Sequence, residues 1–254
     1  MTVGGGAGVA SDTDEEKKMN NPFSKAARGG LGALIATLMI PGAALAERPM
    51  TVDDAGTLPL GGAKVELGWS KDDHVKGFEA AVGYGPIDNV EVELSVGRAK
   101  DDDVSPDQTF EGIGAAVKWV PLQQETGPSV GLKFEWGRED ASDDADLDET
   151  ADAVAVIALF GWGLESGQTL HLNLSREWVE VDDETEADNG WGIGTAYPVT
   201  DELAVTAEVF GSLYHAPDKA LGLRYEIIEG LKVSGAAGRG SGRSFANVGV
   251  AWEF

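Results

Sequence analysis

From Ala63 to the last residue, apolar and polar or small side chains alternate with a period of two, and no stretch sustains a helical period. The closing segment "FANVGVAWEF" shows the pattern plainly. Ala246, Val248, Val250 and Trp252 alternate with Asn247, Gly249, Ala251 and Glu253, and the chain ends on a bare Phe254. Chain ends in water are usually frayed and polar, so this end is expected outside water. The alternation predicts twelve strands, at about 63–71, 76–85, 89–98, 109–120, 129–138, 152–163, 168–180, 190–198, 202–214, 219–228, 230–239 and 244–254. That is about 16 residues per strand and connection, longer than the ~8–12 of a soluble sandwich. It suits membrane-spanning strands of ~10 residues joined by turns.

The connections alternate as well. After even strands they are mostly short ("GPIDN", "LESGQ", "PVTDE", "IEG"), with "PLQQETGPS" the longer exception. After odd strands they read as long and acidic: "RAKDDDVSPDQT", "GREDASDDADLDETAD", "EVDDETEADN". Short turns at one end and long loops at the other mark an outer-membrane barrel, and an even strand count puts both termini at the short-turn, periplasmic end. All seven Trp fall on the apolar parity and near strand ends. Trp69, Trp136, Trp178 and Trp191 fall at the outer rim, and Tyr84, Trp119, Trp162, Tyr197, Tyr225, Trp252 and Phe254 at the inner rim. Two aromatic girdles around an aliphatic band are what a bilayer selects. The expected fold is therefore all-β, a transmembrane antiparallel up-and-down β-barrel of about 12 strands over residues 63–254. Closure is required because every backbone N–H and C=O in lipid must be paired.

The N-terminal region reads as an address. Lys25 and Arg28 precede an apolar run from Leu31 to Ile40, then Pro41-Gly42 and the A-x-A site Ala44-Leu45-Ala46. This predicts a secretory signal peptide over 19–46, cleaved between Ala46 and Glu47. The apolar run is about half the ~20 residues a spanning helix needs. Residues 1–18 are acidic and unlike an n-region, so Met19 is the expected start and 1–18 an annotation extension. Residues 47–62 are expected to form a periplasmic N-terminal segment or a plug.

Composition narrows the function. Net charge is −25, from 44 acids against 19 bases. The first 46 residues hold four of each, so the whole excess falls on the exported part. This excludes a nucleic-acid binder, which needs a basic face. The absence of Cys excludes a disulfide scaffold, a thiolate metal site and a cysteine nucleophile.

The inward parity supplies the candidate site. It carries Lys64, Glu66, Glu79, Glu91, Glu93, Lys118, Lys133, Glu135, His171, Glu208, Arg224, Glu226 and Lys232, with Glu177, Glu253, Asn173, Ser175 and Thr206 beside them. Two readings stay open. These groups either pair across strands and fill the interior, or line a hydrated pore in which nine Glu against five bases favour cations. Strand 152–163 departs from the pattern, with Ala153, Ala155, Ile157 and Leu159 inward. That dry patch either holds an apolar solute or packs against residues 47–62. Arg176 points at lipid near the outer rim, where it can snorkel.

The residues that could carry enzyme chemistry do not form a catalytic arrangement. Glu91 and Glu93 lie roughly 7 Å apart on one strand face, without an environment that separates their roles. His171 and Ser175 are roughly 13 Å apart along one strand, too far for a nucleophile–base pair. His215 has no evident partner. "DASDDADLDET" lacks the Gly and spacing of a calcium loop, and "GRGSGRS" lacks the Lys and helix of a phosphate loop. No enzyme, cofactor or metal site is expected.

Two resemblances add to this. "VGVAWEF" resembles the C-terminal strand signature of bacterial outer-membrane barrels, which implies recognition by the barrel assembly machinery. The segment "ERPMTVDDAGTLPLGGAKVELGW" is similar to the mature start of the phenol-degradation (MetA-pathway) outer-membrane transporter family. Arg48-Pro49, Asp53-Asp54-Ala55-Gly56-Thr57, Gly62 and Glu66-Leu67-Gly68 carry that likeness. It implies a channel-like transporter for small organic compounds. The expectation is a monomeric outer-membrane barrel of a Gram-negative cell, surrounded by lipid and lipopolysaccharide, that passes small solutes passively. The alternative is a non-conducting surface barrel whose acidic outer loops bind divalent cations, lipopolysaccharide or another cell.

Overall fold

The computed structural model describes residues 48–145, 147–240 and 242–254. The expected signal peptide, its cleavage site and the 1–18 extension lie outside the described residues. Twelve antiparallel strands follow in order: β1 (Ala63–Lys71), β2 (Val75–Ile87), β3 (Val90–Asp101), β4 (Gln108–Leu122), β5 (Gly127–Ser142), β6 (Asp148–Gly163), β7 (Thr169–Val181), β8 (Glu184–Pro198), β9 (Leu203–Ser212), β10 (Asp218–Ile228), β11 (Leu231–Gly240) and β12 (Arg243–Glu253). Each pairs with its sequence neighbours, and β1 pairs with β12, closing the barrel as the alternation predicts. The seam runs Lys64↔Glu253, Leu67↔Val250 and Lys71↔Ala246. Ala63 N–H donates to the Phe254 carbonyl at 2.8 Å, and Phe254 N–H donates back to Ala63 at 2.9 Å. Phe254 thus adds a hydrogen-bonded rung to the seam just past β12.

Below the outer ends of the strands, the outward positions are almost wholly apolar: Leu67, Val82, Leu94, Val117, Phe134, Phe160, Leu172, Ile193, Leu223 and Val250 are all exposed. In water such a band would be an aggregation surface; around a closed barrel it is the lipid face. Trp119, Trp136, Trp162, Trp178, Tyr84, Tyr197, Tyr225, Trp252 and Phe254 are exposed on this face, while Trp69 and Trp191 are half-buried. Trp252 and Phe254 have ring centroids 5.1 Å apart.

The outer connections differ from expectation. The acidic stretches at 137–152 and 180–189 are mostly strand, not loop. β5 and β6 each run 16 residues, roughly 50 Å of extended chain, so their hairpin continues past the bilayer. β7 turns into β8 through Asp182 and Asp183 alone, with φ of 51° and 64°. Two successive left-handed residues make the tight hairpin turn whose twist matches the strands. Once two strands are paired across the membrane, the ladder continues into water, and exposed Asp and Glu do not stop it.

Residues 48–62 pass through the barrel interior as an extended strap before entering β1. Leu58 and Ala55 are buried there, as are Met50 and Val52. The inward apolar patch of β6 is covered: Ile157 and Leu159 form one cluster with Val120 of β4 and Ala55 of the strap. Nearer the outer end, Val75, Ala99, Phe110 and Ala141 make a second inward cluster, with Leu147 against it.

Candidate functional site: the barrel interior and its strap

The strap follows the inside wall and is held at each step by side chains of the barrel. At its start, the Arg48 guanidinium pairs with Glu79 of β2 and lies 3.7 Å from Glu66 of β1. Arg224 Nε of β10 donates to the Arg48 carbonyl at 2.8 Å, and Asn247 Nδ2 of β12 donates to the Pro49 carbonyl at 3.1 Å. The chain then crosses to β9, where Glu208 Oε2 accepts both the Thr51 and Val52 N–H groups at 2.8 Å. Next, Asn173 of β7 clamps Asp53 reciprocally, accepting its N–H at 2.7 Å and donating to its carbonyl at 2.9 Å. Finally Glu91 Oε2 of β3 accepts the Leu58 N–H at 3.0 Å. An extended segment has no internal ladder, so its buried backbone groups need such partners. The barrel wall supplies them from five different strands, β3, β7, β9, β10 and β12.

Two of its approaches need glycine. A Cβ on Gly85 would collide with the Pro59 and Leu58 carbonyl oxygens, and one on Gly194 would meet Met50 and Val52.

Asp53 is the centre of the anchor. Its two carboxylate oxygens receive Lys118 Nζ at 2.7 Å and Lys133 Nζ at 2.8 Å. All three side chains are almost fully buried. Burial pushes the Asp53 carboxyl up, but the two ammonium groups outweigh it and hold it below the ordinary carboxylate range. Asp54 is treated the same way: burial raises it, while Lys118, 3.2 Å away, and His171 bring it well below that range. A second knot sits beside this one. Lys64 Nζ lies 2.7 Å from Glu91, 2.9 Å from Glu93 and 3.6 Å from Glu66. Lys133 also lies 2.9 Å from Glu135.

The structure therefore brings Lys64, Glu66, Glu79, Glu91, Glu93, Lys118, Lys133, Glu135, Glu208 and Arg224 into one charged network with the strap. Lys232 and Glu226 stand apart: Lys232 reaches Glu253 at 3.2 Å, and Glu226 accepts the Gly230 N–H at 2.8 Å. His171 bonds to Thr169 Oγ1 at 2.9 Å and faces a cavity of ≈ 210 Å³. That cavity lies between the strap and β7–β10, lined by Met50, Val52, Asp54, Thr169, His171, Ala196, Pro198, Ala204 and Arg224. Arg48, Asp53 and Asn247 are anchors that the strand pattern alone does not identify. Arg48 and Asp53 lie in the segment before β1, which has no alternation of its own, and Asn247 is on the inward parity of β12.

The two Glu of the "EVE" face, Glu91 and Glu93, share Lys64 as ion-pair partner. His215 does have a neighbour: its Nδ1 lies 2.8 Å from Ser212 Oγ, which also accepts the Tyr214 N–H at 3.4 Å. This is a turn contact in the exposed β9–β10 connection. Arg176 lies on the lipid-facing side with its guanidinium 5.3 Å from the Trp178 ring centroid, and it donates to Asn189 at 3.3 Å.

The closed twelve-stranded barrel, its apolar exterior and its charged interior define an outer-membrane-type β-barrel. Within that class, the chain belongs to the family described as uncharacterised conserved protein UCP029691, which matches residues 34–251. Among solved structures, it is similar to the COG4313 outer membrane channel from Pseudomonas putida F1, with TM-score 0.57 and 14% identity, covering 79% of this chain and 98% of that one. It is similar to the translocator domain of the autotransporter NalP from Neisseria meningitidis, with TM-score 0.55 and 14% identity over 91% of this chain and 98% of that one. It is also similar to the KdgM porin in complex with disordered oligogalacturonate, with TM-score 0.54 and 10% identity over 75% and 99%. At these identities the likeness is one of fold. Comparison with curated proteins gave no match.

Proposed function

We propose that this protein is an outer-membrane channel for passive passage of small solutes, and that the solute path runs between the strap and the β7–β12 wall. The observation that carries this reading is an asymmetry of the interior. On β3–β6 the inward side chains beside the strap are buried, among them Glu91, Glu93, Ala116, Lys118, Lys133 and Leu159. On β10–β12 the inward residues Arg224, Lys232, Ser234, Ala236, Asn247 and Gly249 stay partly accessible. The ≈ 210 Å³ cavity continues this accessible side toward the periplasmic end. Its Met50, Val52, Ala196, Pro198 and Ala204 beside Asp54, Thr169 and His171 suit a small organic compound with an apolar body and a polar group. The likeness of fold to an outer membrane channel and to a porin supports the class. The excess of acids over bases inside the barrel supports cation preference.

Single-channel recording of refolded residues 47–254 in a planar bilayer tests the proposal. Discrete cation-preferring steps are expected. A folded barrel that stays silent even after residues 48–58 are deleted would overturn it. The second reading is a surface barrel, favoured by the acidic β5–β6 and β7–β8 hairpins that continue past the bilayer. In either reading, the protein is proposed to be a monomer in the outer membrane, delivered by signal-peptide cleavage after Ala46 and assembled through its C-terminal strand.

A further inference from the structure

We infer that the outer rim of the β10–β3 face, running through β11, β12, β1 and β2, binds the phosphates of an outer-leaflet glycolipid. The inference rests on the outer-membrane placement and not on conduction. Lys71, Lys76 and Lys100 are exposed and stand in direct cross-strand register on β1, β2 and β3. Lys219 and Arg239 are likewise exposed and opposite each other on β10 and β11. Like charges directly opposite on one face are destabilising, and this chain carries 44 acids with which to relieve them. Relief is only partial. Lys76 pairs with Asp102, and Lys100 with Asp107 at 2.6 Å. Among the described residues, Lys71, Lys219 and Arg239 have no ion pair.

Height on the barrel identifies the partner. Trp69 is in register with Phe78, and Lys71 with Lys76 sits two residues further out, roughly 7 Å along the strand. Aromatic side chains mark the membrane–water interface, so these cations lie at the level of lipid phosphates. Below them the outward positions of β1, β2, β10 and β11 are apolar or glycine, with no charge; on β3, Arg98 stands at the level of Phe78 and is paired with Glu111 of β4 at 3.3 Å. The opposite side differs: there Arg138 is satisfied by Asp152 at 2.6 Å. An anion supplied from the bilayer completes the β10–β3 side, whereas the β5–β6 side completes itself. At the outer end of the barrel, that anion is the phosphorylated glycolipid of the outer leaflet.

The test uses the folded mature protein in detergent, with native mass spectrometry against bisphosphorylated lipid A, the same lipid dephosphorylated, and phosphatidylglycerol. The wild type is expected to retain bisphosphorylated lipid A and to lose the dephosphorylated form. The triple variant Lys71→Gln, Lys219→Gln, Arg239→Gln is expected to bind about tenfold more weakly or worse, while Arg138→Gln binds as wild type. If the triple variant fails to show the heat-dependent gel shift of a folded barrel, Lys219→Gln alone replaces it, with a smaller loss expected. Unchanged lipid A binding by the folded variant would overturn the proposal, and so would equal retention of phosphatidylglycerol. A barrel that binds lipid A but does not conduct would sink the channel and leave this site standing.

Discussion

The two halves of the interior wall differ more than their sequences suggest. On β3–β6 the inward face is sealed, with Lys118, Lys133, Glu91 and Glu93 buried against the strap and Leu159 fully so. On β10–β12 Arg224, Lys232, Ser234, Ala236, Asn247 and Gly249 at the same parity keep contact with solvent, while Asp218, Ala220, Gly222 and Ala251 are buried. Both halves read as polar-inward strands. What separates them is how the strap is met: the lysine–carboxylate knot and the Ala55–Val120–Ile157–Leu159 cluster lie on β3–β6, while β7–β12 hold it through the separate hydrogen bonds of Asn173, Glu208, Arg224 and Asn247. A polar lumen is therefore not one surface: one side packs the segment in a buried charged knot, and the other side keeps accessible positions, where the proposed solute path runs.

The sharpest way to break this division is Asp53→Ala. It removes the carboxylate that the two buried ammonium groups share, leaving, among the described residues, Lys118 only Asp54 and Lys133 only Glu135 as ion-pair partners. The loss is at or below the low end of the range of about 3–5 kcal/mol for a fully broken buried pair. The strap is expected to undock, with amide exchange at 50–58 rising to the rate of an open segment while β1–β12 keep their protection. Glu208→Ala is expected to act in the same direction but less, about 1–3 kcal/mol, because it orphans the Thr51 and Val52 N–H groups without stranding a charge. Limited proteolysis of the strap ranks the two. Acid supplies a third, graded lever. Asp53 and Asp54 are held below the ordinary range, so their contribution is complete above their unfolded value of ~3.9 and lost as pH falls through the lower folded values. The share of strap protection that Asp53 and Asp54 supply, read as the difference between wild type and Asp53→Ala, is expected to stay constant from neutral pH to about 5 and to fall only below about 4. A loss centred near pH 6 would contradict the Asp53 anchor. The smallest effect belongs to the exterior: Arg138→Gln removes an exposed pair with Asp152 and is expected to leave the thermal unfolding midpoint indistinguishable from wild type.

The barrel was legible because lipid and lumen impose a strict period of two, and residues such as Val248, Val250 and Trp252 obey it to the last position. Strand ends were less so. Asp140, Glu149 and Glu184 read as loop residues, yet pairing begun in the membrane carries them into the sheet. The membrane-facing aromatics fell on the outward parity for the same reason as the strands. The strap's route was not legible. Asp53 and Lys133 are separated by 80 positions, and Arg48 and Arg224 by 176. Nothing local in the chain marks an inward Lys as a partner of the N-terminal segment rather than of water. The inward Ile157 and Leu159 were the one visible hint, since a polar lumen has no use for them unless something apolar covers them.

The absence of cysteine makes the central claim directly measurable. Single-cysteine variants at Ala196 and Ser234 on the accessible wall, and at Ala116 on the sealed wall, are reconstituted in planar bilayers and treated with a charged thiol reagent. The account predicts that reagent reacts at 196 and 234 and lowers conductance, while 116 stays unmodified until Asp53→Ala releases the strap. Equal labelling of all three positions in the presence of the intact strap would contradict it.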